Sequence, residues 1–320
     1  MKKNKIKDTG LEVTELSFGT SSLGSMPDTY GYEVPEDRAQ KTLNRFFQGP
    51  VNMLDTSRNY AMGESEKRIG KAIKANGGWP KEFILSTKLD RNMDTLVLDK
   101  NRARESLEES LKALNVDSVD ILFLHDPEYA KDITDITKKD GAMDELFKIK
   151  NEGLAKAVGV AMGKVDIMFP LLKDWDFDVV INHNRYTLIN REANEMYDYA
   201  SSKNIAIFNA APYAGGVLAK GPDNFKKVTY QDATEEKLAP AREFEKVCKK
   251  HNVELGAAAL QFSLKDNRIT STICGVTSVE SIEKNLAWAN AEISGEFWDE
   301  ISKLPFSTND PESERVYTPG

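Results

Sequence analysis

Val51-Asn52-Met53-Leu54-Asp55-Thr56-Ser57-Arg58-Asn59-Tyr60 reads as a short buried β-strand that delivers a carboxylate and then a phenol. Two more apolar runs end in the same way. Phe83-Ile84-Leu85-Ser86-Thr87 runs into Lys88, and Val119-Asp120-Ile121-Leu122-Phe123-Leu124 runs into His125. A carboxylate, a phenol, an ammonium and an imidazole are thus placed at the carboxyl ends of three consecutive strands. In a parallel α/β barrel those ends open onto one face, the face that carries the chemistry.

Strand-like runs at 17–23, 51–57, 83–89, 118–125, 156–162, 178–184, 205–211 and 270–276 alternate with helix-like runs. The strands are near-continuous in apolar residues, as expected of a sheet covered on both faces. Over 101–115, Ala103, Leu107, Leu111 and Leu114 share one helical face, with Arg102, Glu105, Glu109 and Lys112 on the other. Start signals place further helices at 36–48 behind Pro35 and at 190–204 opening on Asn190. Strict alternation predicts parallel pairing with right-handed crossovers. The fold class is therefore α/β, a (β/α)8 TIM barrel forming a single domain over 1–320. Lys5-Ile6-Lys7 and Leu11-Glu12-Val13, around Thr9-Gly10, predict an N-terminal β-hairpin that plugs the opposite mouth.

Two connections are long, 24–35 and 213–234, and both follow strand carboxyl ends. Long loops in a compact domain tend to carry function. The tail from Pro305 to Gly320 is polar and turn-rich, which suits either a cover over the pocket or a mobile end.

The chain has 320 residues, enough for a barrel that needs roughly 250. A net charge of -8 argues against a nucleic-acid or anionic-membrane surface. No apolar leader follows the basic start, and no run is long enough to span a bilayer. Cys248 and Cys274 are too few for a disulfide framework and read as reduced, packed thiols. A cytoplasmic enzyme with a small-molecule substrate, as a monomer or weak homo-oligomer, fits these features. Gly19 to Gly24 does not supply a Rossmann fingerprint, and Gly159 to Lys164 is too short for a P-loop. His125, His183 and His251 are too scattered for a histidine metal cluster.

Asp55, Tyr60, Lys88 and His125 resemble the catalytic tetrad of the aldo-keto reductases. The resemblance extends to Gly63-Glu64-Ser65-Glu66 with Ile69-Gly70, to Leu114 through Asp120, and to His125-Asp126-Pro127. Gly153 through Val160 and Ser278 through Asn285 carry it on towards the end of the chain. Arg185-Tyr186-Thr187-Leu188 and Asn209-Ala210-Ala211-Pro212 are similar to the branch of L-fucose and D-threo-aldose 1-dehydrogenases and pyridoxal dehydrogenases.

The chemistry has its own logic. Hydride transfer at a carbonyl carbon requires a proton to move at oxygen, and a free phenol near pKa 10 relays protons poorly at neutral pH. Lys88 is expected to lower the Tyr60 pKa, Asp55 to hold Lys88, and His125 to donate to the substrate oxygen.

The resemblance implies NAD or NADP as cofactor. In the family a Tyr on the seventh strand usually supports the nicotinamide; here Ala210 stands there, with Phe208 and Tyr213 nearby. A Ser-Asn pair after strand five usually holds the carboxamide; here Ala161-Met162 replaces it, leaving Asn182, His183 and Asn184 as polar candidates. Gly19, Thr20 and Asp55 are further contacts. Pro212, Tyr213, Gly215, Gly216 and Leu218 are expected around the diphosphate. Gly275, Val276, Thr277, Ser278, Ser281 and Asn285 are expected along the remaining dinucleotide. Cys274 to Ser281 contains no basic residue and Glu280 adds a negative one, which favours NAD. Lys220, Arg268 and Lys284 are the nearby cations that could reverse this. Tyr30, Tyr32, Arg58, Tyr60, His125, Asp126 and Arg185, with Asn59 and Glu128, give the mouth a polar and aromatic lining suited to a monosaccharide. The function expected first is oxidation of an aldose at C1. The alternatives are NADPH-dependent aldehyde or ketone reduction, and a cofactor-sensing regulatory subunit like the potassium-channel beta subunits that resemble this family.

Overall fold

The computed structural model describes residues 1–315. It opens with an antiparallel hairpin, β1 (Lys3–Ile6) and β2 (Leu11–Thr14). Eight parallel strands then form a closed barrel: β3 (Leu16–Gly19), β4 (Met53–Asp55), β5 (Ile84–Leu89), β6 (Val119–His125), β7 (Ala155–Met162), β8 (Val179–His183), β9 (Ala206–Ala210) and β12 (Ile269–Gly275). Between β9 and β12 lies a two-residue ribbon, β10 (Lys227–Val228) and β11 (Gln231–Asp232). β12 closes the ring by pairing with both β3 and β9. All eight expected strands are present, with ends displaced by a few residues.

The barrel buries two apolar layers. Inside it, Met53, Ile84, Ile121, Phe123, Ala157, Val179 and Phe208 pack together with Ile6, Leu11 and Val13 of the hairpin. The hairpin contributes apolar side chains from alternate positions, so it plugs the amino-terminal mouth as its pattern implies. Outside, alternate strand residues such as Leu54, Leu85, Leu122 and Val158 meet the amphipathic helices. Gly70 lets helix Glu64–Ala75 press close against helix Lys100–Leu114: a Cβ there would lie 2.0 Å from the Ala113 carbonyl oxygen.

Helix Lys100–Leu114 begins on an Asp99 cap that accepts from the Arg102 amide at 2.8 Å and ends on left-handed Asn115. Helix Glu36–Phe47 follows Pro35 as expected. The helix expected from Asn190 instead starts at Asn194. Asn190 is drawn into the carboxyl-terminal tail, bridging to Ser307 and donating to the Asn309 carbonyl at 2.8 Å.

The tail packs down as far as Arg315; residues 316–320 of the expected tail segment lie outside the described residues. Its buried anchor is Glu312, which pairs with Arg185, His183 (3.4 Å) and Arg315 (2.6 Å). Asp310 meets Arg185 at 2.6 Å, and the Pro311 carbonyl accepts from Thr229 and Gln231. The tail thus packs against the segment after β8 and against loop 213–234. A cavity of about 280 Å³ lies between tail and loop, lined in part by Asn184, Thr187, Thr229, Gln231 and Ser313, and no tetrad member reaches it.

Burial alone would raise the Glu312 pKa, but His183 foremost, then Arg185 and Arg315, hold it far below the usual carboxylate range. A depressed carboxylate contributes stability above its unfolded pKa and loses it as pH falls through the folded one. Arg185→Ala removes one partner from buried Glu312 and one from half-buried Asp310 and is expected to cost about 1–3 kcal/mol at neutral pH. Urea unfolding checks this, and the cost should shrink in acid as Glu312 protonates.

Candidate active site

β4, β5 and β6 present their carboxyl ends side by side, with Asp55 paired to Ser86 and Lys88 to Phe123 in register. This brings Asp55, Tyr60, Lys88 and His125 around one opening. Lys88 Nζ donates to Asp55 Oδ1 at 2.9 Å, to Oδ2 at 2.8 Å and to the Thr56 carbonyl at 2.5 Å. Lys88 is only 1 % exposed, and its ammonium lies 4.8 Å from the centre of the Tyr60 ring. The Tyr60 ring meets the His125 ring edge-on at 5.8 Å. Ala61, Met62 and Gly63, directly after Tyr60, all have left-handed backbone, so the segment that aims the phenol is strained.

Burial foremost, then the Asp55 carboxylate, with Tyr30, Asp126 and Asp90 adding to it, push the Tyr60 phenol well above 10. This corrects the expectation that Lys88 brings the phenol down. The ammonium is claimed by a bidentate carboxylate, so the phenol faces a neutralised pair and several acids rather than a free cation.

Asp90 was missed in the sequence. It is fully buried, and its Oδ1 lies 2.6 Å from His125 Nδ1. Its Oδ2 accepts from Ser57 Oγ at 2.6 Å and from the Asn59 amide at 3.1 Å. Burial alone would lower the His125 pKa, but Asp126 and Asp90 more than offset it and leave it raised. With Nδ1–H committed to Asp90, Nε2 carries a proton only when the ring is charged. The raised pKa favours that charged form, and with it the donor that a substrate oxygen needs. Lys88 and Asp90 stand two residues apart at a strand end, and that spacing was the signal available in the sequence.

Other candidate residues take structural duties. Thr20 donates from Oγ1 to the Asp55 carbonyl at 2.9 Å and receives Ser65 Oγ at 3.0 Å, which accounts for Ser65 in the Gly63–Glu66 motif. Gly19 ends β3, where a Cβ would press Ile273 at 3.1 Å. Arg58 points away from the mouth to Glu109, at 2.7 Å. Arg185, expected at the mouth, is buried under the tail and paired with its acids. Tyr213 does not lie open as a nicotinamide platform: its hydroxyl donates to Asn285 Oδ1 at 2.5 Å and its ring packs on Trp288. Phe208 is buried inside the barrel against Phe123. Ala210 and Pro212 remain at the end of β9.

Gly215 brings loop 213–234 back on itself, since a Cβ there would lie 2.7 Å from the Tyr230 amide nitrogen. Gly216 faces the Phe225 ring in the same way. Leu218 is buried in an apolar cluster with Leu188, Val217 and Phe244, and its amide is bonded to the Tyr213 carbonyl. These three residues shape the loop, and their sequence alone did not separate that duty from a diphosphate contact.

Ser278 and Ser281 form a reciprocal cap on helix Val279–Ala289, with the Thr277 amide also donating to Ser281 Oγ. Val276 is buried and donates to the Gly19 carbonyl. Three features fit a dinucleotide. Gly275 leaves open space where a Cβ would stand, that helix begins directly beyond it, and the buried Asn182 Oδ1 has no partner among the described residues. The Asn182 amide nitrogen is already held by the Met162 and Gly163 carbonyls, fixing the oxygen's direction.

Above the opening, the two long loops meet. Tyr30 contacts Tyr32 at 6.1 Å and Tyr230 edge-on at 6.0 Å, while Arg315 of the tail lies 5.2 Å from the Tyr230 ring. Lys220 reaches over Tyr32 at 5.3 Å.

A parallel barrel whose strand ends gather a phenol, a lysine–aspartate pair and a histidine has the architecture of a carbonyl or alcohol oxidoreductase. Residues 15–305 match the Aldo/keto reductase family. L-galactose dehydrogenase of Arabidopsis thaliana is 31% identical over 284 residues, covering 88% of this chain and 85% of that protein. D-threo-aldose 1-dehydrogenase of a Pseudomonas species is 27% identical, covering 92% and 94%. The holo form of an aldo-keto reductase from Bacillus halodurans superposes with a TM-score of 0.79 at 22% identity, over 99% of this chain and 100% of that one. The chain belongs to the aldo/keto reductase family and is an NAD(P)-dependent oxidoreductase. Among the described residues no helix is long and apolar enough to cross a membrane.

Proposed function

We propose that this protein oxidises a sugar-like hemiacetal at C1 to the lactone, with NAD+ as the preferred cofactor. The observation that carries the reading is the gathering of Asp55, Tyr60, Lys88 and His125 around one opening. The names of two relatives, an L-galactose dehydrogenase and a D-threo-aldose 1-dehydrogenase, support the substrate class.

Bound NAD(P) supplies the carbon that accepts the hydride. Asn182 Oδ1, Gly275, Thr277 and the start of helix Val279–Ala289 are the groups that would hold it. As the C1–H electron pair leaves, the C1 hydroxyl proton passes to the Tyr60 oxygen and the lactone carbonyl forms. Lys88, fixed by Asp55, stands beside the Tyr60 ring, which receives the proton in its phenolate form. His125, positioned by Asp90, donates from Nε2 to the reacting oxygen and fixes its approach. Incubation with NAD+ and a panel of aldoses tests this: reduced nicotinamide should accumulate with at least one aldose and with none of the matching alditols.

A second reading, reduction of aldehydes or ketones with NADPH, is favoured by one observation. Burial and nearby acids push the Tyr60 pKa up, and Asp126 and Asp90 raise that of His125, so both groups are biased towards their protonated, donating forms. Comparing rates in both directions at neutral pH separates the two. A regulatory role is disfavoured by the intact four-residue set.

Cofactor choice rests on charge. Arg268 is held by Asp266 and Asp198, and Lys284 lies over the Trp288 ring. The basic group added by the fold is Arg38, whose charge, after hydrogen bonds from Ser278 and the backbone, contributes to lowering the Glu280 pKa. A 2′-phosphate would have to compete with Glu280 for it. The expected kcat/KM is therefore higher with NAD+ than with NADP+, and a tenfold preference for NADP+ would contradict the assignment.

A further inference from the structure

Beside His125 stands a carboxylate oxygen that has no hydrogen-bond partner among the described residues. Asp126 directly follows His125, and its backbone is left-handed, at φ 43° and ψ 51°, an uncommon conformation for a residue other than glycine. The amide is fixed to the Ala161 carbonyl at 2.9 Å, so β7 holds the strained geometry in place. The turn carries Asp126 Oδ1 to 3.8 Å from His125 Nε2, the nitrogen that faces the substrate. That oxygen is buried and has no hydrogen-bond partner among the described residues. The carboxylate is also close enough to raise both the Tyr60 and the His125 pKa, so it adjoins both groups that grip the reacting oxygen.

Glu128, one turn further on, repeats the pattern. Its Oε1 accepts from the Gly163 amide at 3.0 Å, while its Oε2 is buried without a partner among the described residues. Burial, and then the Asp126 charge, push its pKa up to about 7. Arg185, His183 and Arg315 converge instead on Glu312.

An unpaired buried acceptor costs about 1–3 kcal/mol, more when charged. A negative charge beside the reacting oxygen also opposes any charge developing there. Both costs fall if the substrate brings a donor to that point. At 3.8 Å from His125 Nε2, Asp126 Oδ1 is within reach of a group on the carbon next to one whose oxygen accepts from that nitrogen.

We propose that Asp126 is a specificity residue that accepts a hydrogen bond from a hydroxyl on the carbon next to the reacting one, with Glu128 Oε2 as the acceptor for a more distant hydroxyl. The class of substrate selected is the α-hydroxy carbonyl compound or its cyclic hemiacetal. This deepens the aldose reading and rests on the same site, but it makes a separate demand.

The test uses two matched pairs: glycolaldehyde against acetaldehyde with reduced cofactor, and an accepted aldose against its 2-deoxy form with oxidised cofactor. Wild-type protein should favour the hydroxylated member of each available pair by roughly tenfold or more in kcat/KM, since a polar site rejects an analogue lacking its partner group. Asp126→Gly keeps the left-handed backbone without strain and removes the acceptor, so the ratio should fall to about one. Asp126→Asn, also tolerant of that backbone, keeps a weaker acceptor and should give an intermediate ratio. Circular dichroism and cofactor binding report whether each variant is folded, and Asp126→Asn keeps the test open if Asp126→Gly is not.

A wild-type ratio near one, or a ratio unchanged in both variants, overturns the proposal. So does an effect of Asp126 confined to the pH profile of His125 with the ratio intact. If no aldose is oxidised but the aldehyde pair shows an Asp126-dependent preference, the specificity assignment stands and the aldose reading fails. If aldoses are oxidised with no dependence on the adjacent hydroxyl, the reverse holds.

Discussion

Tyr60→Phe should lower kcat by a factor of roughly 10²–10⁴, the usual cost of removing an acid–base group, while cofactor binding by fluorescence stays near wild type. The substitution removes one oxygen and leaves the ring. The ring keeps its edge contact with His125 and its place 4.8 Å from Lys88. The strained turn after it, Ala61 to Gly63, is backbone geometry that phenylalanine leaves unaltered. Loss of activity in a folded, cofactor-binding variant therefore isolates the hydroxyl. Retention of more than about a tenth of the activity would show that the proton moves elsewhere, since no general-acid role is worth so little.

The second large effect is a pair of opposite pH shifts. Asp55 raises the Tyr60 pKa, and the Lys88 ammonium, held by that carboxylate, lies 4.8 Å from the ring centre. Lys88→Met removes the cation and leaves a buried carboxylate beside the phenol, so the pKa rises further. The alkaline limb of the oxidation profile, which reports phenolate formation, then moves to higher pH. Asp55→Asn removes the carboxylate and leaves the ammonium unneutralised, so the limb moves to lower pH. Sequence reasoning alone gives both variants the same direction, because it treats Asp55 only as the support of Lys88. The bidentate contact at 2.8 and 2.9 Å makes Asp55 an electrostatic partner of Tyr60 as well. Both variants should also lose turnover, Lys88→Met more. Profiles of kcat/KM against pH decide the matter, and shifts of the same sign would contradict it.

The sequence was legible wherever local pattern decides structure. Continuous apolar runs define eight strands, and strict alternation with amphipathic helices leaves one topology. The four strand-end residues were readable because a strand's carboxyl end fixes which face its last side chain reaches. What was not legible depended on pairs distant in the chain. Arg185 looks like a mouth residue until Asp310 and Glu312, more than a hundred residues later, claim it. Tyr213 and Asn285 each suit a cofactor contact, yet they bond to each other. Gly215 reads as room for a diphosphate, and the structure spends that room on Tyr230. Asp90 was overlooked although it shares the strand-end spacing of Lys88, because its partner, His125, lies on the neighbouring strand. Buried polar residues satisfied over long sequence separations are where pattern reading loses its grip, because pattern encodes faces and not partners.

Transfer of the C1 hydrogen is the central claim, and isotope tracing measures it most directly. An aldose carrying deuterium at C1 is incubated with the protein and NAD+, and both products are examined by mass spectrometry. The expected result is reduced nicotinamide containing one deuterium, alongside the corresponding lactone or its hydrolysed acid. Unlabelled reduced cofactor, or sugar recovered with its C1 deuterium in place across the aldose panel, would contradict oxidation at that carbon.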